Sequence, residues 1–340
     1  MKTAGAQLTT MDIRSALGDA IAHLERAHVP SARLAAELLL LHVLACDRAW
    51  LYAHPEEEIG AKAKERFLAL VARRAEGVPT QYLTGRQEFW GLEFEVKPDV
   101  LIPRPETEHV VEVALDRLRA RLNATPGELK DVLLHIADVG TGSGCLAVAL
   151  ASELPNARVF ATDISAAALA VAQRNAARNG TAARIEFAQC NLLDAFFPEY
   201  ESTQLGNSAS RDADHGPRAT ASFDLIVSNP PYVALADAAS LPREVREHEP
   251  PAALFAGEAG LDFYTPLVRA AQKALAPGGA LVVELGYNAA GRVRSLLEHA
   301  NWRDIAITND LAGVARVASA LRGEPQPHCA ARDRAAGGKR

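Results

Sequence analysis

The sequence predicts an α/β protein, with a parallel sheet carrying helices on both faces and a separate helical segment in front of it. Three observations carry this. From about residue 131, short apolar runs alternate with stretches of helical period. The first of those runs ends in a glycine-rich loop, Asp138-Val139-Gly140-Thr141-Gly142-Ser143-Gly144, that opens onto a helix. Residues 1 to about 84 read as helical.

The bulk numbers set the frame. The 340 residues leave room for two domains and a sizeable core. Hydrophobic residues make up 49% and charged residues 23%, an ordinary globular balance. A net charge of -6 and a pI of about 6.0 disfavour a broad electrostatic grip on nucleic acid. Cys46, Cys145, Cys190 and Cys329 lie far apart without C-x-x-C or zinc spacing, so no metal site is expected and the thiols suit a reducing compartment. Met1 to Thr10 lacks an apolar signal core, and no apolar run is long enough to span a bilayer. A cytoplasmic protein is expected.

In chain order, Ile13, Leu17, Ile21 and Leu24 fall at helical spacing, and Pro30-Ser31 restarts the pattern. Ala35, Leu38, Leu39, Leu41, His42 and Leu44 form a second stripe. Ala61 to Ala75 gives a third helix with Phe67, Leu68 and Val71 inward. Glu88 to Val96 reads as a short hairpin around Gly91, linking two domains. Pro105 or Thr107 suits the start of the next helix, which turns Val110, Val111, Val113 and Leu115 to the core. Strands follow at Leu133–Val139, Arg158–Thr162, Arg184–Ala188, Phe223–Ser228 and Ala280–Leu285. Helices are expected at Gly144–Leu154, from Ser165 to Asn179, at Asp262–Ala276 (broken by Pro277-Gly278-Gly279) and at Asn288–Ala300. Asp304–Thr308 and Ala315–Leu321 read as a terminal hairpin. This divides the chain into a helical recognition domain at 1–84, a linking hairpin at 85–104 and an α/β domain at 105–322. A flexible insertion is expected at 199–221 and a disordered tail at 323–340.

Two motifs carry chemistry. Gly140, Thr141, Gly142, Ser143 and Gly144 sit between a strand and a helix, where glycines let the backbone approach a ligand. Asp163 ends the next strand, where a carboxylate can hold ribose hydroxyls. The G-x-G-x-G spacing is not that of a dinucleotide fingerprint, and no Lys-Ser/Thr of a P-loop follows. A nucleoside ligand without phosphates, S-adenosylmethionine, fits better. The second motif is Asn229-Pro230-Pro231-Tyr232, just past the carboxyl end of a buried strand. The prolines donate no N–H and stiffen the turn. Asn229 offers an amide, Pro230 a backbone carbonyl and Tyr232 a ring face, a clamp for a planar group carrying an NH2. On its own the tetrapeptide also reads as a simple strand-ending turn.

With these motifs in view, the sequence resembles the HemK-type protein-(glutamine-N5) methyltransferases of peptide chain release factors. The resemblance runs from about Gly77 to Leu321. It rests on Tyr82-Leu83-Thr84-Gly85, on Leu101-Ile102-Pro103-Arg104-Pro105-Glu106-Thr107-Glu108, on Gly140 to Ala147 and on Ser228 to Tyr232. It implies a seven-stranded, Rossmann-like class I S-adenosylmethionine-dependent methyltransferase domain behind a small helical domain. It implies cofactor contacts from Gly140 to Gly144, Asp163, Asn191, Leu192 and Asn229, with S-adenosyl-L-homocysteine as product. Catalytic roles fall to Asn229, Pro230 and Tyr232, and acceptor binding to Asn229, Pro230, Pro231 and Tyr232. The sequence departs from the family at Asn191, where Asp is frequent, and at Gly257-Glu258-Ala259-Gly260, where a second Gly-Asp pair is expected. Glu106 and Glu108 are either site contacts or first-turn carboxylates favoured by the helix dipole; Arg104 reaches toward the same cleft. The partners expected are class 1 release factors presenting a Gly-Gly-Gln loop, with no membrane or direct nucleic-acid contact and a monomeric chain. Two rivals remain on sequence alone: a nucleic-acid methyltransferase acting on adenine N6 or guanine N2, and a non-catalytic cofactor-binding module.

Overall fold

Strands that are apolar on both faces have to be covered on both, and the inner strands of a seven-stranded sheet here meet that requirement. In the computed structural model, which describes residues 11–196 and 222–323, the chain opens with β1 (Met11–Asp12) and α1 (Ile13–Arg26). Then come α2 (Ala32–Leu44), α3 (Arg48–Ala53), β2 (Glu58–Ile59), α4 (Ala61–Ala75) and α5 (Thr80–Thr84). These pack around Leu24, Leu39, Leu40, Leu51 and Phe67. The stripe on α2 is turned from the expected one: Ala32, Ala35, Ala36, Leu39 and Leu40 are buried, and Leu38 is exposed. Apolar residues run almost all round α2, so periodicity alone does not choose its inner face. Leu68 likewise points outward, beside the buried Phe67 and Val71.

A hairpin follows, β3 (Arg86–Phe89) and β4 (Leu92–Glu95). Trp90 and Gly91 turn it with φ of 56° and 69°, the left-handed pair that a two-residue loop needs. The hairpin is packed into the α/β core through Phe89 and Phe94. Glu108 accepts the Trp90 N–H at 2.8 Å. The Glu108 carboxylate is thereby occupied in holding the turn.

The α/β part runs α6 (Glu108–Leu122), α7 (Pro126–Leu129), β5 (His135–Val139), α8 (Cys145–Glu153), β6 (Arg158–Asp163), α9 (Ala166–Arg178) and β7 (Ile185–Gln189). After residue 221 come β8 (Phe223–Ser228), α10 (Arg243–His248), α11 (Pro251–Leu254), α12 (Tyr264–Ala274), β9 (Leu275–Glu284), α13 (Ala290–His299), β10 (Arg303–Asn309) and β11 (Ala315–Leu321). One sheet has the order β10-β11-β9-β8-β5-β6-β7. Strands β5 to β9 pair parallel with one another; β11 pairs antiparallel with β9 and with β10. Side chains alternate between two cores: Ile136, Leu225, Val227 and Val282 face one, while Ala137, Val139, Ile226, Leu281 and Val283 face the other. The helix expected to reach Ala276 stops at Ala274. Pro277-Gly278-Gly279 lies inside β9, in a register shift that sets Phe223 opposite Leu275 but Leu225 opposite Ala280. The bulge absorbs the residues that would otherwise break the ladder. The insertion expected at 199–221 and the tail beyond Gly323 lie outside the described residues.

Chain order reverses at β5: β6 and β7 lie on one side of it, β8 on the other. The crevice past the carboxyl ends of β5 and β8 is where such sheets bind ligands. The buried Asn175 of α9 holds its rim together. Its Oδ1 accepts from Glu95 N at 2.6 Å, and its Nδ2 donates to Glu95 O at 3.0 Å and Ser143 O at 2.9 Å, tying hairpin to glycine loop. Asn175→Ala strands those groups away from water, so urea unfolding should show a loss of about 2–4 kcal/mol. Asn179→Ala, which removes bonds only to Glu93 O and Asn175 O nearer the surface, is expected to cost less than about 1 kcal/mol.

Candidate functional site

The glycine loop is folded onto β6 by its own backbone. Gly140 N and Thr141 N both donate to Thr162 O at 2.9 Å. Gly140, Gly142 and Gly144 have φ of 73°, 54° and 83°, where side chains are disfavoured. A Cβ at Gly140 or Gly142 would meet no protein atom and stand in open space, whereas one at Gly144 would lie 3.0 Å from Ala172 Cβ. The first two glycines leave room for a ligand; the third lets α9 pack behind the loop. Asp163 Oδ2 accepts from Gly142 N and Oδ1 from Ser165 N, both at 2.9 Å, so its carboxylate is fixed against the loop with lone pairs to spare.

Gly140, Thr141, Gly142, Thr162, Asp163 and Ser165 line a cleft of about 720 Å3, together with Ser143, Asn191, Leu192, Asn229 and Pro231. That volume suits a nucleoside-sized ligand. Asp138, only 1% exposed, lines it too, a site residue the sequence reading did not single out. Its Oδ2 accepts from Thr141 Oγ1 at 2.6 Å and Ala147 N at 3.1 Å, while Oδ1 is buried with no hydrogen-bond partner among the described residues. Burial pushes this carboxyl up to about 7 against the pull of Thr141 and Ala147. An orphaned carboxylate oxygen in a cleft asks for a cation, and the ammonium of S-adenosylmethionine supplies one. The donor set fits the cofactor: Asp163 could hold ribose hydroxyls, Asp138 the amino-acid end, and Asn191 and Leu192 could flank the adenine.

Asn229 stands between this cleft and a second pocket of about 330 Å3, and lines both. Pro230 and Tyr232 line only the second, with Arg104, Leu101, Val245 and Leu254. Asn229 Nδ2 donates to Thr107 Oγ1 at 3.1 Å; Thr107 Oγ1 donates to Glu284 Oε2 at 2.6 Å; Tyr232 Oη donates to Glu284 Oε1 at 3.0 Å. Burial and the Glu284 charge push the Tyr232 phenol far up, so it remains a donor. Its tip is engaged inside the protein, and its ring packs beside Gly286 at the second pocket. Arg104 donates to the buried Glu249 at 2.5 Å, and Glu249 also accepts Ile102 N at 3.3 Å, which closes the pocket wall. Gly260, at φ 69°, packs so close that a Cβ would come 2.3 Å from Tyr232 O. The loop thus needs glycine at 257 and 260, both in left-handed backbone, and accepts Glu258-Ala259 between them.

The structure brings Gly140, Thr141, Gly142, Ser143, Asp163, Asn191, Leu192, Asn229 and Pro231 to one cleft. It sets Pro230 and Tyr232 on the far side of Asn229 and Gly144 behind the loop. Thr107 and Glu284 escaped the sequence reading. Glu284 ends a buried strand beside the one that ends before Asn229, since Ser228 pairs with Val283, and that position was a usable signal.

Fold and site together define a class I S-adenosylmethionine-dependent methyltransferase. Residues 15–85 match the family model described as the PrmC N-terminal domain, and residues 130–304 match one described as a methyltransferase domain. The release factor glutamine methyltransferase of Koribacter versatilis (strain Ellin345) is 41% identical over 307 residues, 90% of this chain and 97% of that one. That of Moorella thermoacetica is 41% identical over 92% of this chain and all of its own. A solved protein-(glutamine-N5) methyltransferase (release factor-specific) from Alicyclobacillus acidocaldarius is 27% identical over 68% of this chain and 100% of that one, with a TM-score of 0.37. The chain belongs to the release factor glutamine methyltransferase family.

Because Asp138 in the free protein titrates near 7, it is a neutral acid below that pH and a carboxylate above it. Affinity for a cationic ligand is then full above about pH 7 and lost as pH falls. Calorimetric titration with S-adenosylmethionine is expected to show about 10-fold weaker binding at pH 6 than at pH 8. Asp138→Asn should bind weakly at both and erase the difference.

Proposed function

We propose that this enzyme methylates the side-chain amide nitrogen, N5, of the glutamine in the Gly-Gly-Gln motif of class 1 translation release factors. The observation that carries it is Asn229, which lines both the cofactor cleft and the adjoining pocket. Family membership, and the names of relatives matched over nearly their whole length, support the same acceptor over a nucleic-acid base. Bound S-adenosylmethionine supplies an electrophilic methyl on a cationic sulfur and leaves as S-adenosyl-L-homocysteine.

The protein's task is to present a poor nucleophile. An amide lone pair is delocalised into its carbonyl, so rate must come from holding the nitrogen in line rather than from its intrinsic reactivity. Asn229 Oδ1 and the Pro230 carbonyl accept the two N–H bonds of the glutamine amide. They orient the nitrogen and favour positive charge as it develops there. Pro230 and Pro231 keep both acceptors stiff, and Tyr232 gives the flat amide a ring to lie against. Pro103, Phe255 and Phe263 line the cleft and limit water around the reacting atoms.

The helical region 1–84 is the part assigned to gripping the release factor away from the glutamine. Its tie to the site supports that role: Arg74 of α4, 4% exposed, donates to Glu244 of α10 at 2.5 Å, and α10 carries Val245 in the second pocket's wall. Cytoplasmic residence and a monomeric state belong to the same proposal; among the described residues no helix is long and apolar enough to cross a membrane. The test is mass spectrometry of release factor after incubation with enzyme and cofactor. Wild type should add one methyl to the glutamine, and Asn229→Ala should lower kcat by about 100-fold or more while cofactor affinity stays within about 3-fold. Near wild-type turnover by that variant would refute the assigned role, and methylation of DNA or RNA but not release factor would refute the acceptor.

A further inference from the structure

The Asn229 amide has two ends, and only one suits an acceptor that carries an NH2. Oδ1 accepts hydrogen bonds; Nδ2 only donates them and repels another donor. An unheld asparagine can present either end, so the clamp works only if something fixes which end faces out. The structure shows the inward end held: Nδ2 donates to Thr107 Oγ1 at 3.1 Å. A threonine hydroxyl owns one proton, and this one goes to Glu284 Oε2 at 2.6 Å. With its proton committed, Oγ1 has only lone pairs left for Asn229. Thr107 and Glu284 are each 1% exposed, which leaves no bulk water to offer another arrangement.

We propose that Glu284 is a positioning residue for methyl transfer: as a carboxylate it takes the Thr107 proton, obliges Thr107 to accept from Asn229 Nδ2, and so turns Asn229 Oδ1 toward the acceptor amide. This deepens the glutamine-amide reading and rests on it. Glu284 lines neither the cleft nor the second pocket, so it acts through Thr107 rather than on substrate. Tyr232 donates to its other oxygen at 3.0 Å, and the positive charge of Arg316 on β11, itself paired with Asp310 at 2.9 Å, acts on it from nearby. Burial and Glu106 push the Glu284 carboxyl up; Thr107, Tyr232 and Arg316 pull it back. A neutral group that donated to Thr107 would reverse the chain. Thr107 would then hand its own proton to Asn229 Oδ1, and the Asn229 NH2 would meet the acceptor NH2 head on.

The experiment compares Thr107→Val, Thr107→Ser, Glu284→Gln and the Thr107→Val/Glu284→Gln double variant. It uses steady-state methylation of release factor and the side-chain NH2 signal of Asn229 in protein labelled with 15N-asparagine. Thr107→Val keeps the shape but not the hydroxyl, and should lower kcat about 30-fold with KM for release factor and cofactor affinity within about 3-fold. Thr107→Ser should recover most of that loss. Glu284→Gln should lower kcat about 10-fold alone and less than about 2-fold in the Thr107→Val background, because both changes cut one chain. In the wild type, one Asn229 amide proton should exchange with solvent more slowly than in Thr107→Val.

Wild-type kcat in Thr107→Val or Glu284→Gln, or an equal Glu284→Gln loss in both backgrounds, would overturn the proposal. So would a wild-type Asn229 amide that exchanges as fast as in Thr107→Val. The exchange measurement needs no turnover. A protein that protects the Asn229 amide as expected yet leaves release factor unmethylated therefore refutes the glutamine reading alone.

Discussion

A carboxylate buried at the end of a strand has to be met by donors, and in this protein the donors that meet Glu284 are the ones that shape the acceptor clamp. Thr107 comes from the turn before α6, and Asn229 and Tyr232 from the loop that follows β8. Two segments far apart in sequence, at 107 and at 229–232, are thus held to one another through the two carboxylate oxygens of a third, at the end of β9. The rigidity expected from two prolines is only half of the clamp: they fix the backbone path, while the direction of the amide is set by proton ownership in this chain.

The sheet explains why the parts meet. Parallel strands end on one side, and the reversal of order at β5 opens a crevice between the segments that follow β5 and β8. The glycine loop fills one lip and Asn229-Pro230-Pro231-Tyr232 the other. The remaining wall, residues 241 to 254, is anchored from outside the sheet. Arg104 holds Glu249, and Arg74 of the helical region holds Glu244. The helical region thereby touches the wall of the second pocket through a buried guanidinium.

Much of this was legible in the residues. All seven strands of the main sheet, the glycine turn, the Asp163 strand end and the Asn229 corner follow from apolar runs bounded by glycine, proline or a lone polar residue. What was not legible has specific causes. The inner face of α2 is hidden because its apolar residues nearly encircle it, and Leu68 sits beside two buried neighbours on α4 with nothing in its own chemistry to mark it as exposed. The start of β9 is hidden because a bulge lets a Pro-Gly-Gly run sit within a strand. Thr107 and Glu284 are hidden for another reason: their roles depend on which hydroxyl gives its proton to which oxygen, a property of side chains brought together by the fold, and only the strand-end position of Glu284 beside Ser228 marks either of them locally.

Such a network is not chosen for stability. Taking a carboxylate out of water costs several kcal/mol, and a well-packed apolar cluster at 107, 232 and 284 would hold the same elements together as well or better. What an apolar cluster lacks is a sense of direction, because it leaves the Asn229 amide free to present either end. The same logic covers Asp138, buried with one oxygen unpaired and its carboxyl raised by burial. Each carboxylate sits where an apolar residue would be cheaper: Asp138 lines the cleft, and Glu284 holds the hydroxyl that meets Asn229. Stability is thereby given up at two points of the sheet that border the cleft and the Asn229 corner.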